Sequence, residues 1–377
     1  MRIVVLTLAL LATTGAWAAP SKQAVLTHYA DIVHANYMDS LEAARRLQQA
    51  VEVFVDAPGE ATQRRARDAW LDARDVYGQT EAFRFYGGPI DDADGPEGQI
   101  NAWPMDESFV DKVAHQPHSG LINNPDFAIT RENIAAYNER GGEENVASGW
   151  HAIEFFLWGQ DRSEYSPGSR SYTDFVDGQA PNADRRRAYL RAATGLLLDD
   201  LASVAAEWRP NVAGNYRASF VAGGKESLRK ILVGLGSLSR GELAGERMEV
   251  ALFSRDQEDE HSCFSDNTHR DIVANALGIQ NVWLGVYHRF NGKVMTGPGL
   301  QHLVAAANPA LASATSARIA ASVAAAKAIH SPFDREILED AGRARIQRTI
   351  DSLVAQSDQI VDVAEALGIK KLTLVEP

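Results

Sequence analysis

Five long stretches of this chain repeat apolar residues at helical spacing, and they leave little room for anything but helices. Residues 25–55 and 62–86 are amphipathic runs, and residues 185–208, 303–329 and 334–367 continue the pattern, the first two of these with an alanine-rich composition. Alanine has the best intrinsic helix propensity, and a period near 3.6 gives each stretch one apolar face. No series of alternating apolar and polar residues bounded by turns accompanies them, so a large sheet is not expected. The expected fold class is all-α, built as helical bundles. At 377 residues the chain exceeds what one core usually covers, so two domains are expected.

Two segments interrupt the helical pattern. Residues 87–101, "GGPIDDADGPEGQIN", form a loop of glycine, proline and aspartate. Residues 162–184, "RSEYSPGSRSYTDFVDGQAPNAD", are longer and rich in turn residues. They read as a linker between an N-terminal helical domain, 19–161, and a C-terminal one, 185–377.

The first eighteen residues read as an address. Arg2 precedes an apolar run from Ile3 to Ala12, and Ala16, Trp17 and Ala18 make a small-x-small cleavage site. The apolar run is too short to span a bilayer, and no cysteine near the cut offers a lipid anchor. The expected product is a periplasmic protein that is not transmembrane. The whole chain carries a formal charge of −13, and removing residues 1–18 takes away one base and no acid. That sign argues against nucleic acid, whose phosphates reward a basic surface, and suits a cation or a neutral ligand. Cys263 is the single cysteine, so no disulfide can form within the chain.

The first chemical signal is "GWHAIEFFLWGQD", residues 149–161. His151 and Glu154 sit among Trp150, Ile153, Phe155, Phe156, Leu157 and Trp158, surroundings that suit a protein interior. On a helix, residues three apart share a face, so the imidazole and carboxylate point the same way. They suit two ligands of one metal ion, an acid–base pair, or two core groups that satisfy each other. A second stretch, "RARDAWLDARDVYGQTEAFRFYGG", carries Trp70, Ala73, Val76, Tyr77 and Phe83 on one apolar face. Arg84 falls within that face, with Arg74 and Glu81 at its edge. Either these charges form ion pairs along the helix, or Glu81 is a third ligand and the arginines balance its charge.

Two further stretches are acidic. Asp91, Asp92, Asp94 and Glu97 lie in the glycine-rich loop, which is not an EF-hand: with Gly95 at the required glycine, the first ligand position is Ile90 and the last Asn101. Residues 256–271 pack Glu258, Glu260, His261, Cys263, Asp266, His269 and Asp271 together, with Ser265 or Asp266 as the expected N-cap of the next helix. Cysteine between histidines suits soft or borderline metals, but with no C-x-x-C a structural zinc site is not expected. A Cys263 nucleophile with His261 or His269 as base has proximity as its only support. H-E-x-x-H, G-x-x-x-x-G-K and G-x-G-x-x-G ahead of a helix are absent.

Taken together, these residues resemble a known family. Gly149, His151 and Glu154 match the G-x-H-x-x-E motif of the imelysin family, also called peptidase family M75. Trp70, Ala73, Arg74, Tyr77 and Glu81 are similar to its early W-x-x-A-R-x-x-Y-x-x-x-E helix, and "EDEHSCFSDNTHRDI" resembles its iron-regulated, IrpA-like branch. The resemblance implies an all-helical protein with two related bundle domains, a distant duplication, and a site between them near the motif helix. It also implies an exported bacterial protein linked to iron acquisition, with iron-transport components as partners. The expected metal ligands are His151, Glu154 and Glu81, with Arg74 and Arg84 tuning their charge. Trp70, Tyr77, His261, Cys263, His269 and Asp271 are the remaining cleft candidates. Iron is the expected metal and zinc the alternative. The rival readings are a zinc metallopeptidase, for which no clear general base is visible, and a cleft-binding protein for a small ligand.

Overall fold

A computed structural model describes residues 20–374; the expected signal segment lies outside the described residues. The chain begins with α1 (Lys22–Asp56), whose N-cap Ser21 accepts the Ala24 N–H at 3.1 Å. α2 (Glu60–Tyr77) returns along it. Short helices α3 (Glu97–Asn101), α4 (Glu107–Val110) and α5 (Arg131–Tyr137) cross to the buried α6 (Gly149–Trp158), and α7 (Ala183–Glu207) packs on both α1 and α6.

A second group of helices follows. α8 (Tyr216–Ala222) leads to α9 (Lys225–Ser237), which runs unbroken through a π-helical segment, Leu238–Glu249, into α10 (Val250–Ser254). Then come α11 (Thr268–Leu284), α12 (Leu300–Ala307), α13 (Pro309–Ala326), α14 (Phe333–Leu338) and α15 (Asp340–Ala366). α15 lies against α9, the π segment and α13, while α11 lies against α13. One antiparallel hairpin, Val286–His288 with Val294–Thr296, is the only sheet among the described residues. The fold is all-α, as expected. None of the described helices is long and apolar enough to cross a membrane.

The helices differ from the sequence expectation at three breaks, each with a local cause. The stretch 62–86 is α-helical only to Tyr77 and then tightens into a 3₁₀ turn, Gly78–Phe83. α11 crosses at that point. A Cβ on Gly78 would lie 2.8 Å from the Ala274 Cβ, and one on Gly278 would lie 2.4 Å from the Gln79 carbonyl oxygen. The two glycines let the turn and the helix meet. The stretch 303–329 splits at Asn308, whose side chain caps α13 by accepting the Leu311 N–H, while Pro309 has no N–H to continue the earlier helix. The stretch 334–367 splits at Glu339, which is extended.

One apolar core runs through both groups of helices and contains the fully buried Trp70, Trp150, Trp208 and Trp283. The polar segment 162–184 is fastened to the first group. Arg170 reaches Asp111 at 2.7 Å, and its carbonyl oxygen accepts from Gln63 and Arg67.

Candidate functional site

The motif helix starts where it does because of Gly149. Its φ is +78°, and a Cβ there would sit 2.3 Å from the Ile100 carbonyl oxygen. Only glycine combines that conformation with so close a backbone approach. The approach sets α6 beside α3, and α6 then carries His151 and Glu154 into the interior, at 1% and 0% exposure.

His151 and Glu154 bond to each other, Nδ1 to Oε2, at 3.0 Å. The other Glu154 oxygen accepts from Ser265, from its N–H at 2.9 Å and its hydroxyl at 2.6 Å. A parallel arrangement comes from the second half of the chain. His261 bonds Asp271, Nδ1 to Oδ2, at 2.9 Å, and Asp271 also accepts from Ser262 and Asn267. The two imidazoles meet edge to face with centroids 4.8 Å apart, and Trp103 covers the far side of His261.

Arg74 stands between them. Its Nε pairs with Asp271 at 3.2 Å and its Nη1 donates to Asn101. Its Nη2 faces His151 Nε2 at 3.4 Å and His261 Nε2 at 3.2 Å. The same Nη2 lies 3.3 Å from His261 Nδ1, so it sits over that ring, and a guanidinium, having only donors, disfavours a positive charge on either imidazole. Burial, Arg74 and His261 push His151 well below its ordinary value. Burial and Arg247 push His261 down to about 4, although Asp271 opposes them. Both rings are therefore neutral at pH 7. Burial raises Glu154 to about 8 against the bonds of Ser265 and the charge of Arg74. Burial would raise Asp271 too, but Arg74 and the histidine hydrogen bond hold it far below the usual carboxylate range.

Glu81 lies in the adjoining layer. Its Oε2 accepts from Arg84 at 2.7 Å and from Arg247 at 2.8 Å. Burial alone would raise it, yet the two arginines hold it at about 2. The π segment supplies Arg247 and, five residues earlier, Glu242; these bond at 2.7 Å because π-helical winding stacks residues at that separation. Arg84 also pairs with Glu97 at 3.0 Å. A cavity of 430 Å³ opens above this layer, walled by Glu97, Glu139, Glu143 and Glu242 with Arg84, and His261 lies on it. A cavity with that lining draws cations inward.

The structure thus brings together His151, Glu154, His261, Asp271 and Arg74, from both halves of the chain. Glu81 and Arg84 are neighbours of this cluster, tied to it through Asn101, and Glu81 is committed to its two arginines. Trp70 and Tyr77 pack behind it against Trp150, and the Trp70 N–H donates to the Trp150 carbonyl. Cys263 is buried, and burial with neighbouring carboxylates, Glu154 first, raises its thiol well above its ordinary value. A thiol kept protonated is a poor nucleophile. His269 is not brought in; it bonds the Asp266 carbonyl and lines a separate groove with Asp75 and Leu277. The expectation of an N-cap at Ser265 or Asp266 is corrected to Asn267, because the Ser265 hydroxyl is spent on Glu154.

Arg247, Asn101, Glu242 and Trp103 were not visible as site residues in the sequence. Arg247 carried a signal: it sits on an apolar face beside Leu243, Ala244 and Met248, the same anomaly that marks Arg84. Asn101 and Trp103 carried none.

Comparison with known proteins bears on the family and the fold. The family model for imelysin, peptidase M75, matches residues 33–360. Iron-regulated protein A of Synechococcus elongatus is 25% identical over 337 residues, which covers 87% of this chain and 82% of that protein. A crystal structure assigned as an iron-regulated protein A precursor from Parabacteroides distasonis superposes with a TM-score of 0.71 at 18% identity, covering 92% of this chain and 97% of that one. The latter likeness is one of fold.

Proposed function

The chain belongs to the imelysin family, and on that premise we propose that it is an exported cation-binding protein serving iron uptake or homeostasis. The observation that carries this reading is the paired histidine arrangement. Two neutral imidazoles, each held by a buried carboxyl group, converge beneath an acidic cavity. A histidine whose second nitrogen is fixed by a carboxylate is the usual form of an imidazole prepared for a metal. Imidazole and carboxylate donors suit iron and zinc alike. His261 would meet the cation from the cavity, with His151 behind it and Glu97 or Glu242 at the wall. Glu154 and Asp271 act as orienting groups. Arg74 supplies the positive charge that keeps the Asp271 carboxylate ionised inside the protein. The name of the Synechococcus relative gives the reading its iron direction.

The peptidase reading is weaker here because the three carboxyls of the cluster and its adjoining layer are already committed. Glu154 and Asp271 hold imidazoles, and Glu81 is locked between Arg84 and Arg247. None is left to activate water.

Calorimetry and element analysis on the protein lacking residues 1–18 test the proposal, with iron and zinc salts titrated in turn. Wild type should bind, and His151→Ala and His261→Ala should each weaken binding at least tenfold. Unchanged binding in both variants removes the histidine pair from the function.

A further inference from the structure

Four acidic side chains stand together elsewhere with no ion pair to any of them among the described residues, and the Ser163 N–H on Asp161 Oδ1 is a backbone contact at their edge. Asp161 follows the motif helix, Glu260 and Asp266 flank the two serines that serve Asp271 and Glu154, and Asp334 opens α14. They are 3%, 0%, 7% and 1% exposed. One oxygen from each of the three aspartates lies within 4.8 Å of the other two. Asp161 Oδ2, Asp266 Oδ1 and both oxygens of Asp334 and Glu260 are buried without a hydrogen-bond partner. Arg335, the neighbour of Asp334 in sequence, pairs with Glu164 and Glu339 instead. Burial raises all four carboxyls, and repulsion from other members of the cluster adds to it at Asp161, Asp266 and Glu260. Clustering buried acids this way is costly unless something neutralises them.

We propose that Asp161, Asp266, Asp334 and Glu260 form an all-oxygen site for a hard divalent cation of the Ca²⁺ class, separate from the histidine pair. Every donor is a carboxylate oxygen, the ligand type that hard cations take. The aspartate separations suit ligands bonded at about 2.4 Å around one Ca²⁺, whose opposite ligands stand about 4.8 Å apart. Glu260 is wholly enclosed with both oxygens unpartnered, and Asp334 and Asp266 are near enough to act on its charge. An entry path exists as well: a cavity of 420 Å³ reaches Asp161 and Asp334 past Glu164, Asp256 and Glu258. The bound ion would join the end of α6, the turn 260–267 and the start of α14. That turn also carries His261 and Ser265, so the cation would fix the second-half side of the histidine cluster.

Thermal unfolding of chelator-treated protein, with and without CaCl₂, tests the site, and calorimetric titration with CaCl₂ measures it directly. At a calcium concentration a hundredfold above Kd, Tm should rise by about 4 °C. Asp266→Asn combined with Asp334→Asn should abolish that rise and the binding heat, and Asp161→Asn alone should weaken both at least tenfold. If the double variant does not fold, the single variant and the wild-type titration still decide. A wild-type protein indifferent to calcium would overturn the site and leave four carboxyls that share protons. So would a calcium response that persists in the variants.

Discussion

At the scale of single residues, Arg74 is the side chain on which the cluster's charge balance depends. It is 1% exposed and pairs with an aspartate that is itself 2% exposed. Removing one partner of such a pair strands the other, at a cost of about 3–5 kcal/mol. Arg74→Ala should lower unfolding stability by that amount in a denaturant titration, and a loss below about 1 kcal/mol would show that Asp271 is balanced elsewhere. Gly149→Ala should cost about 2 kcal/mol or more, since alanine must adopt a φ of +78° and its Cβ meets the Ile100 carbonyl. At this scale the sequence was informative where partners are close in the chain. His151 and Glu154, three residues apart, were read correctly as facing one another. Their convergence with His261 was not legible, because the whole of residues 155–260 lies between Glu154 and His261 and no local pattern records such a meeting.

At the scale of elements, one buried carboxylate is central among the contacts that hold the segment 162–184. Asp111, 0% exposed, accepts from Arg186 at 2.7 and 2.9 Å and from Arg170 at 2.7 Å. It thereby joins the end of α4, the polar segment and the start of α7. Burial would raise Asp111, but Arg170 and Arg186 overcome it and hold it below its ordinary value. A carboxylate depressed on folding stabilises above its unfolded value, near 3.9, and that contribution is lost as pH falls through the lower folded value. Wild-type stability should therefore drop steeply below about pH 4, as urea midpoints at pH 7, 4 and 3 would show. Asp111→Asn should be destabilised at pH 7 and show a shallower drop over the same range. Equal slopes in the two proteins would assign the acid sensitivity to other groups. Helix identity was legible in the sequence because period and propensity agree over long runs. The 3₁₀ turn after Tyr77 and the π winding of Leu238–Glu249 were not, since both are set by contacts with α11 and α15.

At the scale of the whole molecule, α7 decides where the first group of helices ends. Its buried residues, among them Tyr189, Leu190, Leu197 and Leu201, are part of the shared core, and it lies against α1 and α6. The Tyr189 hydroxyl also donates to the Ala147 carbonyl at 2.7 Å, just ahead of the motif helix. A fragment ending at residue 184 would leave the matching faces of α1 and α6 open to water, whereas one ending at 207 would cover them. The longer fragment, 20–207, should show helical circular dichroism and a cooperative melt, and the shorter, 20–184, should not. If 20–184 melts as cooperatively as 20–207, α7 belongs with the second group and the chain divides within 162–184. Neither fragment should retain the histidine site, because His261 and Asp271 come from beyond both cuts. Iron binding by 20–207 equal to that of the intact protein would therefore refute a site built from both halves, even with the fold of the fragment intact.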